Sequence, residues 1–164
     1  MPWLVGSFSG RRPLQQFLTR LENLLSEVPV QETETQVPSN GEGLRALVIG
    51  EQLLANSVRE SLELDRGFVA VDVCTMFDGD QHLMRSGDQA HISEAQLEER
   101  IRSGRYDLVV GDGFFRELDR PDSGIRYVEL PHVAVSSRLG WTSQACPFGE
   151  RFLELLDAAL QERV

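Results

Sequence analysis

Apolar positions along the chain change period several times. From Pro13, a residue suited to the first turn of a helix, Leu14, Phe17, Leu18, Leu21, Leu24 and Leu25 recur at three- and four-residue steps. That spacing puts one apolar stripe on a helix of about four turns, and the stripe must dock on something. Val28 to Gly43 then reads VPVQETETQVPSNGEG, with two prolines, several Thr and Glu and no aromatic residue, the composition of a flexible linker. The expected organisation is a docking segment and helix at 1–27, a linker at 28–43 and an α/β domain at 44–164.

Past the linker the pattern alternates between short apolar runs and helical spacing. Leu44 to Gly50 (LRALVIG) predicts a strand bounded by glycine, and Glu51 to Leu64 carries Leu54, Val58 and Leu62 at helical intervals. Phe68 to Cys74 predicts a second strand. A long polar stretch, Asp78 to Ile92, ends at Ser93, whose distance to Gln96 makes a capping box for a helix carrying Leu97 and Ile101 and closed by Gly104. Tyr106 to Asp112 predicts a third strand, Phe114 to Leu118 a short helical or irregular piece, and Ile125 to Leu130 a fourth strand. A last helix from about Phe148 places Phe152, Leu155, Leu156 and Ala159 on one face. Strands alternating with helices predict a Rossmann-like three-layer α/β domain with a four-stranded parallel sheet covered on both faces. In such a sheet functional residues gather at the strand C-termini, here Gly50-Glu51, Cys74 to Asp80, Gly111-Asp112 and Pro131-His132.

Composition narrows the chemistry. The 26 acidic residues against 16 basic ones give a net charge of −10, which repels nucleic acid and anionic lipid and favours a protein or small-molecule partner. All 16 basic residues are Arg, so chemistry needing a Walker lysine or a Schiff-base lysine is absent. Two cysteines, Cys74 and Cys146, are too few for a four-thiolate cluster within the chain. No apolar run approaches the roughly 20 residues of a membrane span, and MPWLVGSFSGRRPL lacks the layout of a secretory signal. A cytoplasmic protein that holds no metal by itself is the expectation.

Each candidate site has a plain structural alternative. The turn VIGEQLLANS holds one glycine where a dinucleotide fingerprint needs three, and Glu51 stands where a pyrophosphate would meet the helix. Glu51 is read as a helix-start residue favoured by the dipole. Asp112, between Gly111 and Gly113, occupies a phospho-acceptor's place, but without a lysine or an acidic pair it reads as a turn residue. Asp78, Asp80, His82, Asp88 and His91 could ligate a metal, though their spacing follows no known site. Cys74 reads as a buried small hydrophobe, and Cys146, before Pro147 near the last helix, as a candidate for ligation or reactivity. Arg138 can fork onto a carboxylate or another anion, and Trp141 is a large group for a polar loop.

Taken in order, several segments resemble the C-terminal domain of the nitrogenase component 1 family of oxidoreductases, which includes dark-operative protochlorophyllide reductases and nitrogenase cofactor scaffolds. They are Pro2-Trp3-Leu4 with the helix LQQFLTRLENL, then LRALVIGEQLLANSVRESLE, then SEAQLEERIRSGRYDLVVGD with Tyr106 in place of the usual Pro, and finally Val128 to Gly140 followed by FGERFLELLDAAL. The chain departs from the family where a linker replaces the helix before the first strand. It departs again at Leu130 to Arg138, where Leu-Pro-His and Ser-Arg stand for Gly-Phe-Pro and Asp-Arg. Arg138 to Phe152 contains no histidine, so the resemblance does not extend to the histidine ligand of the nitrogen-fixing subunit.

The resemblance implies one domain of a larger oxidoreductase, with an iron–sulfur or related cluster held by other domains. The implied partners are those neighbouring domains, a partner subunit and a reductase protein. His132, Arg138, Trp141 and Cys146 are then the candidates for facing the cofactor. The alternative is a self-contained flavodoxin-like binding or regulatory domain without redox chemistry, against which the lack of a Ser-, Thr- and Gly-rich phosphate loop weighs. Solvent exposure of Trp141 separates an interface role from packing on the domain's own core.

Overall fold

The computed structural model describes residues 15–21, 43–132, 134–135 and 149–161. Four strands form one parallel sheet: β1 (Arg45–Ile49), β2 (Ala70–Cys74), β3 (Leu108–Gly111) and β4 (Arg126–Glu129), in the order β2-β1-β3-β4. Beyond residues 15–21, the described helices are α1 (Gln52–Arg66), α2 (Glu94–Ile101) and α3 (Gly149–Gln161), with 3-10 turns at Gln81–Leu83 and Gly113–Leu118. The expected fold class is therefore what the chain adopts.

Topology dictates the layers. The chain steps from β1 outward to β2, then back past β1 to β3. Because parallel crossovers are right-handed, steps in opposite directions send their helices to opposite faces. Alternation along β1 registers this: Ala46 and Val48 join Val58, Leu62, Phe152 and Leu156 of α1 and α3 in one core. Leu47 and Ile49 join Leu97 and Ile101 of α2 and Phe115 of the second 3-10 turn in the other. With both faces covered, the two central strands, β1 and β3, read as near-continuous apolar runs. The direction of travel reverses between β1 and β3, which makes their C-terminal ends the switch point where ligands of such folds bind.

Local signals account for the helix ends. Ser93 Oγ accepts from Gln96 N at 3.3 Å while Gln96 Oε1 accepts from Ser93 N at 3.0 Å, completing the expected capping box. Helix α1 ends at Gly67, whose φ of 75° is left-handed and favours glycine. A two-pronged pair, Arg66 Nε and Nη2 to Asp157 at 2.8 and 2.9 Å, fastens the end of α1 to α3.

The polar stretch after β2 is the part that sequence pattern left undescribed. It runs back along the free edge of β2: Gln89 N donates to Val73 O at 2.9 Å and Thr75 N donates to Gln89 O at 2.9 Å. Asp88 accepts from Val73 N at 2.8 Å and from Arg85 N at 2.8 Å, and both its oxygens lie 2.7 Å from Arg59 Nη1 on α1. An open sheet edge is thereby satisfied within the chain. At Gly87 an added Cβ would lie 2.0 Å from Asp72 Oδ1, so only glycine admits this close approach.

Residues 15–21 are helical, within the stretch expected to be helical from Pro13. Phe17 and Leu21 are half-buried and Leu18 is exposed. The expected linker, apart from Gly43, lies outside the described residues. No helix among the described residues is long and apolar enough to cross a membrane.

Candidate functional site

The C-terminal rim of the sheet is assembled from four turns. After β1, the Glu51 carboxylate accepts from Leu53 N and Leu54 N, each at 3.1 Å. The N–H groups that would cradle a phosphate at this helix start are thus capped by a fixed negative charge. The next residue, Gln52, is buried and binds the loop after β2 at both ends of its amide: Nε2 donates to Asp80 O at 2.9 Å and Oε1 accepts from Asp80 N at 2.7 Å. That loop is drawn across the rim. At the switch point itself, a Cβ on Gly111 would meet Ile49 O at 2.9 Å, so β1 and β3 close tightly there.

After β3, Asp112 is buried and both its oxygens are committed to backbone donors. Oδ1 accepts from Phe114 N at 3.1 Å, and Oδ2 accepts from His132 N at 2.7 Å. It is a turn residue that also ties the end of β4 to the end of β3, which leaves neither oxygen poised as a phospho-acceptor. His132 Nδ1 accepts from Ala134 N at 3.1 Å, so in the neutral ring the proton sits on Nε2. The ring rests against Phe77, centroids 5.2 Å apart and planes tilted by 34°. Of the four residues proposed to face a cofactor, His132 is therefore at the rim, with Asp112 and Phe77 as neighbours. Arg138, Trp141 and Cys146 lie outside the described residues.

The candidate metal loop disperses into structural roles. Asp88 holds Arg59, Asp80 Oδ1 caps the 3-10 turn through His82 N at 2.9 Å, and Asp78 Oδ1 pairs with His91 Nε2 at 2.9 Å on the surface. Among the described residues no group of three or more His, Cys, Asp or Glu comes together. Cys74 is fully buried beneath α2, and burial pushes its thiol up to about 11. Beside it, Tyr106 donates to Asp72 Oδ2 at 2.6 Å, and Arg100 Nη2 donates to the same oxygen at 3.1 Å. Burial, then the bond to Asp72, pushes the Tyr106 hydroxyl up to about 12. This cluster anchors the edge-covering loop to the sheet and is turned away from the rim.

Sequence reasoning missed one feature of the rim. Met76, Phe77, Phe114, Leu118 and Val135 line a groove of about 420 Å³ floored by the buried Leu97 and Phe115, with Glu94 and Glu117 at its margins. The signal was available: TMFDGD and GDGFFREL both set large apolar residues in turns that otherwise call for polar ones.

The geometry defines a Rossmann-like α/β domain whose phosphate position is closed by its own carboxylate. No family model matches the sequence, and no curated protein matches it. Among solved structures the chain is similar to one described as nitrogenase Cp1 at pH 6.5, with a TM-score of 0.58 and 14% identity over 92% of this chain. The alignment takes in 38% of that protein, so the chain spans under two fifths of its length. At this identity the likeness is one of fold. An NADPH-dependent glyoxylate/hydroxypyruvate reductase from Sinorhizobium meliloti, in apo form, aligns over 90% of this chain and 54% of its own, at 13% identity. Its TM-score of 0.37 carries no argument.

Proposed function

We propose that this chain is one domain of a nitrogenase component 1-like oxidoreductase, and that its C-terminal rim supplies cavity wall and subunit interface around a metal cluster or substrate held mainly by other domains. The observation that carries this reading is the fold likeness to a nitrogenase chain over 92% of the present one, in agreement with the ordered series of family-like segments. The described residues do not form a cluster site of their own: Cys74 is enclosed in the core with its thiol pushed up. We assign the cluster to cysteines of other domains, as the family resemblance implies, and the assembly to the cytoplasm. His132 contributes an imidazole whose backbone is pinned by Asp112, with Arg138, Trp141 and Cys146 proposed to complete the surface facing the cofactor. The flavodoxin-like alternative is disfavoured by Glu51, which occupies the phosphate position of the first strand–helix turn.

The test is anaerobic purification from the native host through a tag on this chain, followed by protein identification and iron quantification. Stoichiometric iron together with a cysteine-bearing polypeptide, joined to this chain or associated with it, supports the reading. An iron-free chain recovered alone contradicts it.

A further inference from the structure

Six large apolar residues among those described are substantially exposed, and three of them, Met76, Phe77 and Phe114, at 41%, 37% and 51%, converge on the groove described above. Scattered single apolar residues need no explanation, but a convergent set over a packed floor marks a contact surface. The walls are held in place before anything binds. Phe77 N donates to Thr75 Oγ1 at 3.1 Å and its ring leans on His132, while Phe114 N and Phe115 N are bound by Asp112 at 3.1 and 3.0 Å. Such pre-organisation removes part of the ordering cost of association.

Charge selects the occupant. Glu94 and Glu117 stand at the margins of the groove, both exposed, and neither is in an ion pair among the described residues. Among the described residues the nearby arginines are engaged elsewhere: Arg102 donates to Leu118 O at 2.8 Å and pairs with Glu98, and Arg116 lies 3.6 Å from Glu129. An apolar trough flanked by two carboxylates with no ion pair among the described residues, on a chain of net charge −10, suits a ligand with an apolar or aromatic anchor beside a cation. Phe114 is 51% exposed where it lines the trough, an aromatic surface that an inserted side chain of a polypeptide covers.

We infer that the Met76–Phe77–Phe114 groove docks a segment of another polypeptide that inserts an aromatic or aliphatic side chain and presents Arg or Lys to Glu94 and Glu117. The inference does not depend on the nitrogenase-like reading, since it requires neither iron nor a particular parent enzyme.

The test is selection of a phage-displayed 12-residue random peptide library on the immobilised chain, followed by fluorescence anisotropy with the enriched peptides. The expected result is a consensus pairing a large apolar residue with Arg or Lys. Affinity should fall at least tenfold for Phe114→Ser and at least fivefold for the Glu94→Gln/Glu117→Gln double variant, with circular dichroism unchanged in both. Enriched peptides that are acidic or uncharged, no enrichment at all, or equal binding to Phe114→Ser would overturn the inference. So would enrichment that appears only with Trp141→Ala, because the chain's own Trp141 loop would then be the occupant.

Discussion

Replacing Asp88 with alanine should be among the most damaging single changes in the domain. The Asp88 and Arg59 side chains are 2% and 3% exposed, and the carboxylate is shared between Arg59, Val73 N and Arg85 N. Arg59 Nε already has no hydrogen-bond partner, so losing Asp88 leaves a buried guanidinium with Asn56 as its hydrogen-bond acceptor and strips Val73 N of its acceptor at the β2 edge. Breaking a buried pair from one side costs about 3–5 kcal/mol, a large part of the 5–15 kcal/mol or so by which a typical domain is stable. Arg59→Met should cost less, about 2 kcal/mol, because the carboxylate it abandons keeps two backbone donors. In urea unfolding followed by far-ultraviolet circular dichroism, a slope of about 2 kcal/mol/M turns these into midpoint losses of roughly 2 M for Asp88→Ala and 1 M for Arg59→Met. Asp88→Asn should fall between wild type and Asp88→Ala. A loss below about 0.5 M for Asp88→Ala, or one no larger than for Arg59→Met, would refute the argument that this carboxylate fastens the loop to the sheet.

Other consequences are as direct. The Cys74 thiol is raised by burial from 9.0 to about 11, so its contribution is complete below pH 9 and is lost as pH rises towards 11. Cys74→Ala should flatten the fall in urea midpoint over that window, and in a Cys146→Ser background Cys74 should react with a disulfide reagent at pH 8 no faster than the chain unfolds. Gly87→Ala should cost about 1–3 kcal/mol by forcing Asp72 aside, whereas Gly50→Ala, whose Cβ meets nothing within 4 Å, should change the unfolding free energy by less than about 0.5 kcal/mol. Glu51→Ala should cost about 1 kcal/mol through the lost cap. Neither NADPH nor FMN should raise the melting temperature of the wild-type chain, and a shift with either would contradict the closed phosphate position.

Much of the fold was legible because it rests on local periodicity. The alternation of Ala46, Leu47, Val48 and Ile49 places successive residues in opposite cores, and the Ser93–Gln96 box marks the start of α2 within one residue. The closed phosphate position was legible too, since a carboxylate at a helix start acts over two or three residues. What remained hidden depends on distance in sequence. The Arg59–Asp88 pair joins residues 29 apart and the Asp112–His132 bond residues 20 apart. No spacing announces either. Asp78, Asp80, His82, Asp88 and His91 resembled one ligand set only because they share a loop, and among the described residues folding brings no three of them together: Asp88 turns to Arg59, Asp78 pairs with His91, and Asp80 caps the His82 turn. The groove combines the chain after β2, β3 and β4 with one side of α2, so its residues become neighbours only through the strand order.

Hydrogen–deuterium exchange on this chain, compared between its isolated form and the assembly recovered from the native host, bears most directly on the proposed use of the rim. Slowed exchange in the assembly is expected over residues 75–80, 112–118 and 130–135, the turns at the strand C-termini. Unchanged exchange in those turns, with slowing confined to the opposite ends of the strands at residues 67–70, 104–107 and 124–126, would contradict it.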